Sequence, residues 1–191
     1  MNDLRLLVTG ATGFLGERLA YVLVQRNFSV KVATRKDFAI KLVSQVKISS
    51  IDKGTCWAGA LQFVDCVIHC AAQVPIMNDS VGEHIGKLRT VNAFGTLNLA
   101  QQAAEAGVKR FIFISSIKVN GESTTLNHAF KYDDACVPND PYGVSKYEAE
   151  SGLKKIAAET GMEVVIIRPV LVYGPSVKGN FKSLINFVRN G

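Results

Sequence analysis

The sequence predicts an α/β fold, a doubly wound parallel sheet with helices on both faces. Three observations carry that prediction. Short apolar runs alternate with longer stretches of helical periodicity along the chain, without repeats or low-complexity linkers. The first apolar run, Leu4-Arg5-Leu6-Leu7-Val8, leads into a glycine-rich turn, Thr9-Gly10-Ala11-Thr12-Gly13-Phe14-Leu15-Gly16. A helical pattern and a second apolar run, Val30-Lys31-Val32-Ala33, then complete a strand–helix–strand unit.

The elements follow in order. Strands are expected at 4–9, 28–34, 45–49, 65–70, 110–115 and 163–168. Helices are expected near 14–26, 55–62, 80–106 and 142–160, with one more after Pro175. The first helix shows its face through Phe14, Leu15, Leu19, Val22 and Leu23. With 191 residues and 48% hydrophobic content, the chain can bury one sizeable core and reads as one domain. In such sheets ligands collect at the carboxyl ends of the strands. Gly10, Arg35, Ala71, Ser116 and Pro169 all fall just after such ends.

The glycine turn is the first functional signal. A strand that enters a helix through glycines lets backbone approach a pyrophosphate, whose charge then sits at the helix N-terminus. The spacing here is Gly-x-x-Gly-x-x-Gly, with Gly10, Gly13 and Gly16, where the commonest dinucleotide fingerprint is Gly-x-Gly-x-x-Gly. The end of the second strand speaks to the choice of cofactor. An acid there would bond a ribose 2′-hydroxyl, whereas an arginine neutralises a 2′-phosphate. The chain carries Thr34-Arg35-Lys36 and no acid before Asp37. NADP(H) is therefore favoured with Arg35 as its phosphate partner, NAD(H) stays possible, and a solvated Arg35–Lys36 loop is the structural alternative.

The second signal is Tyr142 with Lys146, in Asp140-Pro141-Tyr142-Gly143-Val144-Ser145-Lys146. Four residues apart at the start of a helix, they share one face. A tyrosine of pKa about 10 is a poor base at neutral pH. An ammonium about 4 Å away is worth roughly 4 kcal/mol, or about three pKa units, and is expected to bring the phenol into range for acid–base work. Ser116 ends the buried run Phe111-Ile112-Phe113-Ile114-Ser115-Ser116 and can hydrogen-bond a reacting oxygen. Together with the glycine turn, these residues point to oxidoreductase chemistry at a carbon bearing a hydroxyl or carbonyl.

Composition closes other routes. The net charge is +6, but the basic residues are scattered with no block of five, so no nucleic-acid partner is expected. No apolar stretch is long enough to span a bilayer, and Asp3 and Arg5 break any secretory signal. Cys56, Cys66, Cys70 and Cys136 lack metal spacing and read as reduced thiols of a cytoplasmic protein. His69, His84 and His128 form no metal constellation, and His69 reads as a core strand histidine.

With these motifs in hand, the chain resembles the extended short-chain dehydrogenase/reductases, in particular the nucleotide-sugar epimerase/dehydratase family with its Rossmann fold. The resemblance runs from Asn2 to Gly191. It rests on Thr9–Gly16, Val67-Ile68-His69-Cys70-Ala71-Ala72, Asn92-Ala93-Phe94-Gly95-Thr96, the serine strand, Pro141–Lys146 and Arg168-Pro169-Val170-Leu171-Val172-Tyr173-Gly174-Pro175. It implies Ser116, Tyr142 and Lys146 as catalytic residues. The cofactor would lie against Gly10, Gly13, Phe14, Leu15, Gly16, Arg35, Ala71, Ala72, Asn92, Lys146 and Pro169. Asn92 is expected to support the lysine through water, and Lys146 to contact the nicotinamide ribose.

Finer similarity is to UDP-glucose 4-epimerases and to bacterial UDP-N-acetyl-quinovosamine-type 4-keto reductases of surface-polysaccharide synthesis. It implies hydride transfer at C4 of a UDP-hexose or UDP-N-acetylhexosamine, with Ser116, Lys118 and Asn180 at the sugar nucleotide. An N-cap role for Asn180 is the structural alternative. A homodimer through helices 80–106 and 142–160 is a further implication. Residues 1–175 would form the NAD(P)-binding domain and 176–191 the start of a substrate-binding region. Relatives continue into a smaller C-terminal domain that is missing here, so cofactor binding with weak or no turnover is expected. Two alternatives remain open: an extended reductase of a steroid or flavonoid-like ketone, and a non-catalytic NAD(P)-binding module.

Overall fold

The computed structural model describes residues 2–38, 40, 43–74, 81–175, 177 and 179–190. Its strands are β1 (Asn2–Thr9), β2 (Phe28–Thr34), β3 (Ser44–Lys47), β4 (Cys66–His69), β5 (Arg110–Ile114) and β6 (Glu163–Ile167). All pair in parallel, in the order β3-β2-β1-β4-β5-β6. The chain runs outward from β1 to β3 and then returns to the other side of β1 at β4. That reversal opens a crevice beyond the carboxyl ends of β1 and β4, where Thr9 is in register with His69.

The helices are α1 (Phe14–Gln25), α2 (Ala58–Leu61), α3 (Val81–Leu88), α4 (Thr96–Glu105), α5 (Pro141–Thr160) and α6 (Gly179–Asn190). Two apolar layers sandwich the sheet, because side chains alternate along each strand. Leu6, Val8, Val32 and Ile68 pack under α1 through Leu19, Ala20 and Leu23. Leu7, Val67, Phe111 and Phe113 pack on the opposite face against Trp57, Leu99 of α4 and Leu153 of α5.

Helix α5 has strong end signals. Asp140 caps it by accepting from the Tyr142 and Gly143 amides at 2.9 and 3.1 Å, Pro141 is the first helical residue, and Gly161 closes it at φ 74°. Those caps fix where Tyr142 and Lys146 lie relative to the sheet.

Three sequence expectations are corrected. The helix expected over 80–106 is three pieces: α3, a π-helical turn at Arg89–Gly95, and α4. The turn presses on the loop after β3, where a Cβ on Gly95 would lie 2.7 Å from Ile51 Cγ2. The helix expected over 55–62 shrinks to the single turn α2. Before it, the Thr55 hydroxyl donates to the Ser50 carbonyl and accepts from the Asp52 amide; after it, Phe63 takes φ 59°. Strand β3 also ends two residues earlier than its expected span of 45–49. Among the described residues no helix is long and apolar enough to cross a membrane, and no cluster of three potential metal ligands occurs.

Candidate functional site

The crevice between β1 and β4 is shaped by backbone. Gly10 sits at φ +70°, and a Cβ there would lie 2.5 Å from the Ala71 nitrogen. One turn on, a Cβ on Gly16 would collide with the Gly10 carbonyl. No other residue fits either position, so the strand end, the loop and α1 close up tightly. Gly13 is the N-cap of α1 and supplies no side-chain cap, which leaves the helix N-terminus to whatever anion approaches.

A cavity of about 270 Å³ lies over this turn, and its wall brings together Gly10, Gly13, Arg35, Ala71 and Ala72, five of the expected cofactor contacts. The wall also contains Thr12, Thr34, Ile48, Ile51, Cys70, Gln73 and Val91, which sequence reasoning did not single out. Phe14, Leu15 and Gly16 belong to the first turn of α1 and are not among the residues lining this cavity. Near Arg35 the acids are engaged locally. Asp37 pairs with Lys47 at 2.5 Å, and Asp52 accepts from the Gly54 amide at 2.8 Å.

A second cavity, of about 480 Å³, adjoins the N-terminus of α5 and is lined by Ser116, Lys118, Tyr142 and Asp140 with Val74 and Val170. Ser116 is the N-cap of a short 3-10 turn at Ile117–Val119, its hydroxyl accepting from the Lys118 amide at 3.3 Å. Lys118 reaches back to Asp140 at 3.1 Å and to Glu122 at 3.3 Å. Pro169 holds the neighbouring loop by accepting the Ile117 amide at 3.1 Å. Asn180 is the second residue of α6, and its side chain lies outside the described residues.

Lys146 lies one turn beyond Tyr142 and is almost wholly buried at 1% exposure. Its Nζ is 4.3 Å from the Phe113 ring centroid and 6.0 Å from that of Tyr142. Burial lowers its pKa from 10.5 to about 7, against the charges of Cys70 and Glu150, which raise it. The expectation that this ammonium lowers the tyrosine's pKa is corrected here. Burial and the Asp140 carboxylate push the Tyr142 phenol up, and Lys118 is the cation that opposes them. Lys146 gives little help because its own charged form is disfavoured in the same apolar layer.

Beneath the two residues lies a buried ion pair that sequence reasoning missed. Glu150, one further turn along α5, is 1% exposed. It accepts from Arg168 Nε at 2.9 Å, from Arg168 Nη2 at 2.6 Å and from the Ser115 hydroxyl at 2.5 Å. Arg168 also donates to Asn120 Oδ1 at 2.9 Å. The pair therefore ties α5 to the ends of β5 and β6, the strands that lead into Ser116 and Pro169. The recurrence Tyr142, Lys146, Glu150 at helical spacing was the available sequence signal.

The Asn92 side chain is held by direct partners. Its amide bridges the Gln73 main chain, accepting from the nitrogen at 2.7 Å and donating to the oxygen at 2.9 Å. It also donates to Ser145 Oγ at 3.0 Å, next to Lys146. One side chain thus joins the wall of the first cavity to the helix of the second.

Comparison with known proteins agrees with this layout. A model of the NAD dependent epimerase/dehydratase family matches residues 6–190. A UDP-glucose 4-epimerase of Vibrio cholerae is 46% identical over 191 residues, spanning 97% of this chain and 57% of that protein. The fold matches that of UDP-glucuronic acid 4-epimerase from Bacillus cereus in complex with NAD, at TM-score 0.82 and 25% identity, over 98% of this chain and 64% of the other. It also matches MoeE5 in complex with UDP-glucose and NAD, at TM-score 0.78 and 27% identity, over 91% and 56%. The chain spans little more than half the length of the curated relative, 57% of it.

Proposed function

This chain belongs to the NAD dependent epimerase/dehydratase family, and from that premise we propose that it is the cofactor-binding part of a nucleotide-sugar oxidoreductase or epimerase acting at C4 of a UDP-hexose or UDP-N-acetylhexosamine. The observation that carries the reading is the adjacency of two cavities. One lies on a glycine cradle at a helix N-terminus, and the other is lined by Ser116 and Tyr142 with Lys146 buried behind it.

The residues fit a nicotinamide dinucleotide. Gly10 and Gly16 occupy positions where a Cβ would fill the cradle, and the uncapped N-terminus of α1 suits a pyrophosphate. Arg35 stands in the same wall and supports acceptance of a 2′-phosphate, so NADP(H) should bind here as well as the NAD carried by structural neighbours. When bound, the cofactor supplies hydride acceptor and donor chemistry.

The chain's own groups handle the proton and the orientation. Ser116 Oγ holds the sugar oxygen at C4, and the Tyr142 phenol takes or returns its proton. Lys146, its pKa lowered to about 7, stands one turn behind the phenol to meet the cofactor ribose. Lys118 lines the same cavity and would exchange one of its ion pairs, to Asp140 or Glu122, for the sugar nucleotide. We assign cofactor binding to residues 1–175 and the start of the substrate region to 176–191. The polysaccharide role, and a homodimer through the α3–α4 and α5 faces, belong to the same proposal and await separate tests.

The test is a pre-steady-state mixing experiment with NAD and UDP-glucose or UDP-galactose, followed by reduced-nicotinamide absorbance. A signal that Tyr142→Phe lowers by on the order of a hundredfold supports the reading. A Tyr142→Phe chain as fast as the parent sinks it, and a signal with steroid ketones alone favours the non-sugar reductase.

A further inference from the structure

Among the described residues, His69 is a fully buried titratable group at the crevice that the proposed chemistry leaves without a task. It is fully buried on β4, stacked on Phe113 at 6.0 Å between ring centroids, so that Phe113 has His69 and the Lys146 ammonium as neighbours. Both ring nitrogens are engaged. Thr9 Oγ1 lies 2.6 Å from Nδ1, and Thr96 Oγ1 lies 2.9 Å from Nε2.

One neutral tautomer satisfies every group in this arrangement. Thr96 has one hydroxyl proton, which it donates to the Asn92 carbonyl at 2.7 Å. Its oxygen therefore accepts from Nε2–H of a neutral imidazole, and Nδ1 accepts from Thr9. The chain continues beyond the carbonyl. The Asn92 amide donates to Ser145 Oγ at 3.0 Å, and the Ser145 hydroxyl donates to the Tyr142 carbonyl at 2.7 Å. Thr9, His69, Asn92, Thr96 and Ser145 are all completely buried. A directional line of hydrogen bonds thus runs from the end of β1, through β4 and the π-helical turn, to the first turn of α5.

We propose that His69, with Thr9 and Thr96, is a positioning residue that locks the Asn92 turn between the strand-end loop carrying Ala71–Gln73 and the helix carrying Tyr142 and Lys146. A π-helical turn is a wider, rarer winding than the α-helices on either side, and here it closes with Thr96 giving its amide to the Ala93 carbonyl and its hydroxyl to the Asn92 carbonyl. The side-chain line ties this turn to the sheet, the most rigid part of the fold. In this tautomer the imidazole is neutral, donating at Nε2 and accepting at Nδ1. Burial and the nearby Lys146 charge hold His69 neutral, lowering its pKa to about 3. The proposal rests on the reading of the glycine cavity as the dinucleotide site for one of its two readouts.

The experiment uses the whole chain with Thr96→Val, which keeps the shape of the side chain and removes its hydroxyl, and Thr96→Ser, which restores it. Two quantities are read: the NADH dissociation constant by fluorescence, and the Lys146 titration by NMR of lysine-labelled protein. The titratable groups around Lys146 are His69 and Cys70 from the β4 end and Tyr142 and Glu150 from α5, and all are kept in these variants. In Thr96→Val the loosened turn should weaken NADH on the order of tenfold. Water reaching Lys146 should raise its titration midpoint above about 7, toward 10.5. Thr96→Ser should restore both. A change in either readout that serine reverses supports the proposal. A lower melting temperature with both readouts at parental values makes the line merely structural and overturns it. Should Thr96→Val fail to fold, Thr9→Val cuts the far end of the line and is judged by the same readouts. If the parent binds no NADH, the cofactor reading falls while the Lys146 titration still decides this one.

Discussion

Replacing Lys146 by methionine should stabilise the chain while removing its chemistry. Folding buries the lysine at 1% exposure, and its pKa falls from 10.5 to about 7. At 1.36 kcal/mol per unit, that fall sets a ceiling of about 5 kcal/mol on the cost of holding the side chain in the fold. Methionine fills similar volume without a charge, and replacements of buried ionic groups return about 1–4 kcal/mol. Glu150 keeps its partner in the variant, because both its oxygens remain bonded to Arg168. The sign follows from proton counting. Between pH 7 and 10.5 the unfolded chain holds a proton on this lysine that the folded chain has released, so parental stability rises with pH across that window. The advantage of Lys146→Met is therefore largest at and below pH 7 and fades toward pH 10.5. At about 2–4 °C per kcal/mol for a chain of this size, the melting temperature at pH 6.5 should rise by roughly 2–16 °C. Thermal melts at several pH values measure it. A variant less stable than the parent at pH 6.5, or an advantage that ignores pH, would refute the assignment of Lys146 as a strained, near-neutral lysine.

Other expectations follow from the same geometry. Arg168→Met strands the Glu150 carboxylate in the core and should cost about 3–5 kcal/mol in urea unfolding; a loss under about 1 kcal/mol would mean that Glu150 finds another partner. Gly10→Ala places a Cβ 2.5 Å from the Ala71 nitrogen at φ +70°, and should abolish NADH binding in calorimetry. Asp140→Asn keeps the helix cap but removes the carboxylate that raises the Tyr142 pKa, so phenolate absorbance should appear at lower pH than in the parent. An unchanged titration would show that burial alone sets the phenol.

The parts of the fold legible in sequence were those encoded locally. Leu4–Val8 followed by the glycine turn announced β1 and α1, and the helix expected over 142–160 matches α5 at Pro141–Thr160. Tyr142 and Lys146 were visible through spacing alone. The π-helical turn was not, since nothing local in Arg89–Gly95 announces a change of winding and its Gly95 closes on Ile51, which is remote in sequence. Nor was the partnership of Glu150 and Arg168, which joins residues from separate elements. The direction of the Tyr142 shift was misjudged for a related reason. Spacing reveals which charges are near, whereas burial decides how much of each charge survives. His69 was recognisable as a core strand histidine, but its partners lie at Thr9 and Thr96, beyond the reach of any local pattern.

The central claim is that the glycine crevice holds a dinucleotide with Arg35 at its 2′ end. Calorimetric titration of the chain and of Arg35→Ala with NADH and NADPH tests it most directly. The account predicts single-site binding of both cofactors by the parent, and loss of NADPH affinity alone in Arg35→Ala. Absence of binding heat with either cofactor, or equal weakening of both in the variant, would contradict it.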